Sequence, residues 1–352
     1  MRGYFKRVAE MTPTRLWINN VTVAQAREGI SAGAVGCTQN PSYVSKMLKF
    51  DPALCNSLFD KWIEKTDDDN EVLIQVQAEL VGMIAKEFLP LYEATHGELG
   101  YVTIQGDPFQ ENTEAIIRQA EIARAYGPNI MVKIPVVPDG IKAISALARM
   151  GIPVCCTEVF ALRQAIDICE EFIKATEGKP RPVAYLAHIA GIYDEYLLNY
   201  VKANNVDIKR DVLWHAGISI AKKVYEVVKE RRYPMEFLGG GARGPHHFTE
   251  MVGAEASVTI NWAGMGDELE ASDPLIIQRF HMPTPSSVID ELIRKLPDYK
   301  KGYFEDAITP EEYESFGPVA LFRSSFEKGW KEALNAISER RAVTEGRSTG
   351  GQ

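Results

Sequence analysis

The chain has 352 residues, 45% hydrophobic and 25% charged, a length that suits two average domains or one large α/β barrel. With 48 acidic against 39 basic residues the net charge is −9, so there is no global electrostatic case for nucleic acid or an anionic membrane surface. No apolar run approaches the roughly 18 residues that span a bilayer.

The N-terminal stretch MRGYFKRVAEMTPTR lacks the apolar region of a signal peptide. Strands are then expected at residues 15–19, 34–39, 100–106, 129–136, 153–159, 181–189, 236–241 and 256–262. Between them run stretches such as TEAIIRQAEIARAYG and IKAISALARMG, which have apolar residues at helical spacing and end on glycine. The strands are apolar throughout rather than alternating, which indicates burial on both faces and an all-parallel sheet. Eight such units in about 250 residues predict a (β/α)8 TIM barrel with additional C-terminal helices; an open doubly wound sheet is the rival and usually has fewer strands. The expected organisation is one barrel domain over residues 1–352 with its core at about 15–262. It carries a helical insertion at 51–99, C-terminal helices at 264–340 and a disordered tail at 341–352. The charge run at 65–71 reads as a solvated turn. Five cysteines, mostly in apolar runs, read as buried reduced thiols and point to the cytoplasm.

In a barrel, chemistry concentrates where each strand runs into its following loop. Those ends carry Asn19, Thr38, Asn40, Gln105, Lys133, Thr157 with Glu158, Tyr185 with His188, Arg243 and Asn261. Lys133 stands inside the apolar run NIMVKIPVV, where an unpaired ammonium would cost several kcal/mol. One reading is a lysine that snorkels to solvent or meets a carboxylate. The other is an amine whose pKa is pulled down by desolvation, as needed to attack a carbonyl and form a Schiff base.

The segment VKIPVVPDGIKAISALARMGIPVCCTEVFALRQA, residues 132–165, resembles the signature of the transaldolase family. LWINNVTVAQAREGISAGAVGCTQNPS resembles that family's first two strands, and the similarity continues through GYVTIQG, VAYLAHI and LGGGARG to FRSSFEKGWKEAL. The resemblance implies a (β/α)8 barrel that cleaves or transfers a dihydroxyacetone-type unit through a lysine Schiff base, with Lys133 as that lysine. It implies further that Asn40 holds substrate hydroxyls and that Thr157 positions a catalytic water. Gln105 and Tyr185 match residues of the fructose-6-phosphate aldolase branch. Asn19 stands where the family has an aspartate, Cys155 where transaldolases have an asparagine, and His188 where a phosphate-binding arginine is expected. Of that anion-binding pair only Arg243 remains.

The expected function is therefore a class I transaldolase or aldolase acting on a ketose without the usual phosphate. The catalytic set is Lys133, Gln105, Tyr185 and Thr157; the substrate-binding set is Asn19, Thr38, Asn40, Cys155, His188 and Arg243. The alternative is a catalytically impaired sugar-binding barrel. Expected partners are a sugar or sugar-derived small molecule, with no nucleic acid, no membrane and no cofactor, and a homo-oligomer is left open. Gly239 to Gly244 fit G-x-G-x-x-G, but after a seventh strand and with no acidic residue ending a following strand, so a dinucleotide fold is not expected. Glu158 follows Thr157, and strand alternation turns it away as a rim salt bridge, or as a substitute base if the strand ends there. His246 and His247 open a helix, where neighbours face different ways, so no shared metal is expected.

Overall fold

The computed structural model describes residues 3–349. Eight strands form in the predicted places: β1 (Arg15–Asn19), β2 (Ala34–Gln39), β3 (Val102–Ile104), β4 (Ile130–Pro135), β5 (Val154–Val159), β6 (Ala184–His188), β7 (Glu236–Gly239) and β8 (Ser257–Asn261). Each pairs in parallel with the next, and β8 returns to β1, closing the barrel. This is the (β/α)8 architecture with further helices at the C-terminus. Every residue of β4 and β5 is buried, because the barrel interior covers one face and the helical ring the other.

An aromatic pair plugs the barrel interior above its N-terminal end. Trp17 on β1 is fully buried and its ring lies 4.9 Å from that of Tyr185 on β6. On β2, Gly36 makes room for this indole: a Cβ there would come within 2.3 Å of it. Filling the lower layers leaves the upper, C-terminal end as the place for a cavity.

The insertion consists of helices Pro52–Ile63 and Asp69–Ala94. The charge run joins them as a turn whose end is structured, since the Asp68 carboxylate accepts from the backbone N–H groups of Asn70 and Glu71 and caps the second helix. The final helix, Gly317–Thr349, packs across Tyr43–Phe50 and both insertion helices. It continues through residues 341–349, where the sequence predicts a disordered tail; residues 350–352 lie outside the described part. Arg340 donates to Asp60 at 2.6 Å and Arg341 to Asp69 at 2.8 Å. Arg341, at the start of the expected tail, thus finds a partner in the insertion. All five cysteines are buried and free. No helix among the described residues is long and apolar enough to cross a membrane.

Candidate active site

A cavity of about 250 Å³ opens at the C-terminal end of the barrel. Asn19, Thr38, Asn40, Lys133, Arg243 and Asn261 line it, so six of the residues singled out in the sequence meet there. Phe322, Ser325 and Phe326 of the last helix complete the wall. Lys133 projects from the fourth residue of β4 and is only 6% exposed. Among the described residues no ion pair ties its Nζ, which lies 5.8 and 5.9 Å from the ring centres of Phe322 and Phe326. Those distances are the outer limit of cation–π attraction. Burial therefore wins and lowers the Lys133 pKa, with Cys155 and Glu158 pulling weakly the other way.

Strand ends beside the lysine form a neutral polar ladder. Asn19 donates through Nδ2 to Asn261 Oδ1 at 2.9 Å and accepts at Oδ1 from the Thr38 hydroxyl at 2.9 Å. Thr38 lies 2.8 Å from the Thr259 hydroxyl, which donates when Thr38 spends its proton on Asn19. Asn40 uses Oδ1 to accept the Ser42 N–H at 3.2 Å, the turn that opens helix Tyr43–Phe50, and keeps its NH2 as a donor at the cavity.

The sequence misjudges Glu158. The β5–β6 register shifts between Cys156 and Val159, and Glu158 adopts φ +58°, a left-handed conformation rare for a residue with a side chain. Simple alternation therefore fails at this residue, and its carboxyl is fully buried rather than on the rim. Glu158 Oε1 accepts from Gln105 Nε2 at 3.0 Å, a bond that joins the ends of β3 and β5 across intervening β4. Gln105 Oε1, Thr157 Oγ1 and Glu158 Oε2 are all buried without a protein hydrogen-bond partner. A second carboxyl, Glu111, lies 2.8 Å from Arg323 of the last helix, close enough for an ion pair though not aligned for a hydrogen bond. Burial raises the pKa of both carboxyls, each opposed by Arg323, and the charge of Glu158 raises Glu111 further. Two carboxyls facing one guanidinium favour holding a proton between them. Neither Glu111 nor Arg323 carries a signal in the sequence; Phe322 and Phe326 do, as an aromatic pair at i, i+4.

Gln105, Thr157 and Cys155 are buried without lining this cavity, and two further expected site residues lie elsewhere. Tyr185 is the second residue of β6, low in the barrel; it packs on Trp17 and lines an opening at the N-terminal end with Arg15, Glu236 and Ser257. Burial raises its pKa well above the usual phenol value. His188 is displaced by strand parity: Ala187 lines the cavity, so His188 points outward behind the barrel wall. Its ring is fully buried, both nitrogens lack a protein hydrogen-bond partner, and burial pulls its pKa down to about 3, keeping it neutral. It is not placed to contact an anion in the cavity. Cys155 pairs in register with Lys133, and burial raises its thiol to about 12, so it borders the lysine as a neutral neighbour.

Arg243, following β7, lines the cavity but is already engaged: its Nε donates to Glu195 at 2.6 Å. Residues 16–271, most of the barrel and its cavity, match the transaldolase/fructose-6-phosphate aldolase family. The chain belongs to that family. Its relatives in the family are distant. A transaldolase of Thiobacillus denitrificans is 24% identical over 65% of this chain and 68% of its own. One from Thermobifida fusca is 28% identical over 46% of each chain, and a probable transaldolase of Parabacteroides distasonis is 29% identical over 49% of this chain and 65% of its own. The match thus spans between about half and two thirds of these relatives' lengths. A solved 2,3-dimethylmalate lyase overlaps with a TM-score of 0.36 at 12% identity, covering 91% of this chain and 95% of that one, too low to bear on chemistry.

Proposed function

We propose that this transaldolase-family barrel cleaves or transfers a dihydroxyacetone-type ketol unit through a Schiff base on Lys133. The observation that carries this reading is a lysine buried, with no ion pair among the described residues, at the base of a polar cavity. Its depressed pKa populates the neutral amine that attacks a ketone. The amine adds to the carbonyl, and the carbinolamine loses water to give an iminium ion. Loss of the proton from the β-hydroxyl then breaks the adjacent carbon–carbon bond and leaves the electron pair on the bound ketol unit. An aldehyde acceptor, or a proton, takes up that pair. Asn19, Thr38 and Asn40 supply donors and acceptors for the ketol hydroxyls. Gln105 and Thr157, each with a buried unpartnered oxygen, suit the water that enters and leaves, with Glu158 as the carboxyl that exchanges its proton.

Incubating the protein with dihydroxyacetone or fructose and reducing with borohydride should add the reduced ketose to Lys133, read by intact mass and peptide mapping. No adduct with any ketose would leave a sugar-binding barrel without turnover.

At the far end of the cavity an anion must compete with Glu195 for Arg243, and His188 gives no help; Lys46 on helix Tyr43–Phe50 is a further cation on the wall. Fructose 6-phosphate should therefore be a poorer substrate than a ketose without phosphate. A kcat/KM at least tenfold higher for the phosphate ester, lost in Arg243→Ala, would reverse this assignment.

Tyr185→Phe should leave kcat within about twofold of the parent while costing about 1 kcal/mol of stability through a lost buried hydrogen bond. The hydroxyl faces Ser257 at the barrel floor. A hundredfold fall in kcat would return the tyrosine to the chemistry.

A further inference from the structure

Outside the barrel mouth, helix Ala190–Ala203 and the loop after β7 bring together three side chains that the sugar chemistry does not use. Asp194 Oδ2 lies 2.9 Å from His247 Nε2 and 4.0 Å from His246 Nε2. The expectation that adjacent histidines look apart fails here, because they sit at the start of a four-residue helix, His246–Thr249, and their ring centres are only 3.9 Å apart. One donor atom from each of the three residues lies within 4.8 Å of the others.

We propose that Asp194, His246 and His247 bind a divalent transition metal of the zinc class. Two imidazoles and a carboxylate are the donor set such ions take, at about 2.0–2.2 Å each. Tetrahedral donors at that radius stand about 3.4 Å apart, so the 2.9 and 4.0 Å distances to Asp194 Oδ2 lie on either side of that value and shifts of about half an ångström in the two histidines complete the set.

The surrounding contacts are those that orient metal ligands. Asp194 Oδ1 accepts the Gly217 N–H at 2.6 Å, which fixes the carboxylate and leaves Oδ2 to the histidines. His247 Nδ1 lies 3.3 Å from the Gly244 carbonyl and 3.4 Å from the Arg243 N–H: accepting from Arg243 it leaves an Nε2–H to bond Asp194, while donating to Gly244 it frees the Nε2 lone pair for a cation. The indole of Trp214 stacks on His246, ring centres 4.8 Å apart and planes 29° from parallel, and holds that ring in place. Without a cation only one imidazole can hydrogen-bond Oδ2, since 4.0 Å is beyond reach.

Three protein ligands leave a coordination position open. The three residues themselves line a separate cavity of about 300 Å³ with Leu198, Arg210 and Trp214, and Arg243 is on the wall it shares with the sugar cavity. Arg243 is neutralised by Glu195 and so does not repel the ion.

Titrating the metal-free full chain with Co2+ should give visible d–d bands that saturate at one equivalent and are displaced by Zn2+. His246→Ala should weaken Co2+ binding at least tenfold while the metal-free melting temperature stays within a few degrees of the parent. His246 is the variant of choice because Asp194 also holds Gly217. Asp194→Asn is the second test, read only where circular dichroism shows a folded protein. Bands that survive His246→Ala unchanged, or no saturable band at tenfold metal excess, would overturn the site. Neither result depends on sugar turnover.

Discussion

Lys133→Met is expected to abolish carbon–carbon bond cleavage and transfer, to below the detection limit of a coupled assay, and to yield a protein more stable than the parent by about 1–3 kcal/mol. Both outcomes follow from one fact: the amine is buried on β4 with no ion pair among the described residues. Methionine fills nearly the same volume and removes the desolvation cost, but it cannot form an imine. The pH dependence gives a second readout. The folded pKa of Lys133 is depressed, so below the ordinary 10.5 the unfolded chain binds a proton that the folded chain lacks. Parent stability therefore rises with pH from the folded value up to about 10.5, and the advantage of Lys133→Met shrinks over that window. Urea melts at several pH values would show this. Turnover retained in the variant would remove the Schiff base from the reading, whereas an advantage that does not change with pH would mean that Lys133 is charged in the folded protein.

How much of this could be read in the sequence depends on whether geometry obeys simple periodicity. The strands were legible because burial on both faces makes them apolar throughout, and β4 announced its lysine by contrast. Asn19, Thr38 and Asn40 were legible for the same reason: a polar residue ending an apolar strand sits at the barrel mouth, and all three line the cavity. Tyr185 and His188 were misplaced because belonging to β6 does not fix height or parity. Tyr185 comes one residue after the strand begins and so lies at the floor, while His188 follows the inward Ala187 and so faces out. The last helix was recognisable, but not that Arg323 would meet Glu111 or that Phe322 and Phe326 would wall the lysine. Such contacts join residues more than 180 positions apart, and no local pattern encodes them.

Glu158 is where local periodicity misleads most, and it carries the other large expected effect. Glu158→Gln should lower kcat by about a hundredfold or more, the usual worth of a positioned acid–base group, while leaving the borohydride adduct on Lys133 intact. The register shift and the φ of +58° turn the side chain inward, a conformation that costs about 1–3 kcal/mol for a residue with a Cβ. A strained, fully buried carboxyl with one oxygen unpartnered destabilises the fold, and such strain concentrates at functional sites. Gln105 holds the other oxygen at 3.0 Å and so fixes the carboxyl at the end of β5. Burial first, and then Glu158's own charge acting on Glu111, keeps a proton on this pair at pH values where exposed carboxylates have lost theirs. In the proposed mechanism the ionised member of the pair takes the proton of the β-hydroxyl and returns it. Glutamine keeps the size and the contact with Gln105 but cannot accept a proton. Stability should move the opposite way from activity. A raised folded pKa makes the parent less stable as pH rises from the ordinary 4.5 through the folded value, so the variant gains on the parent above that range and not below pH 4.5. The limb of the kcat profile set by the carboxyl pair should also disappear in the variant. If kcat stays within threefold and the profile is unchanged, Glu158 is a structural strut and the proton must travel by another residue; if the adduct is lost as well, the substitution has disturbed the lysine rather than the proton transfer.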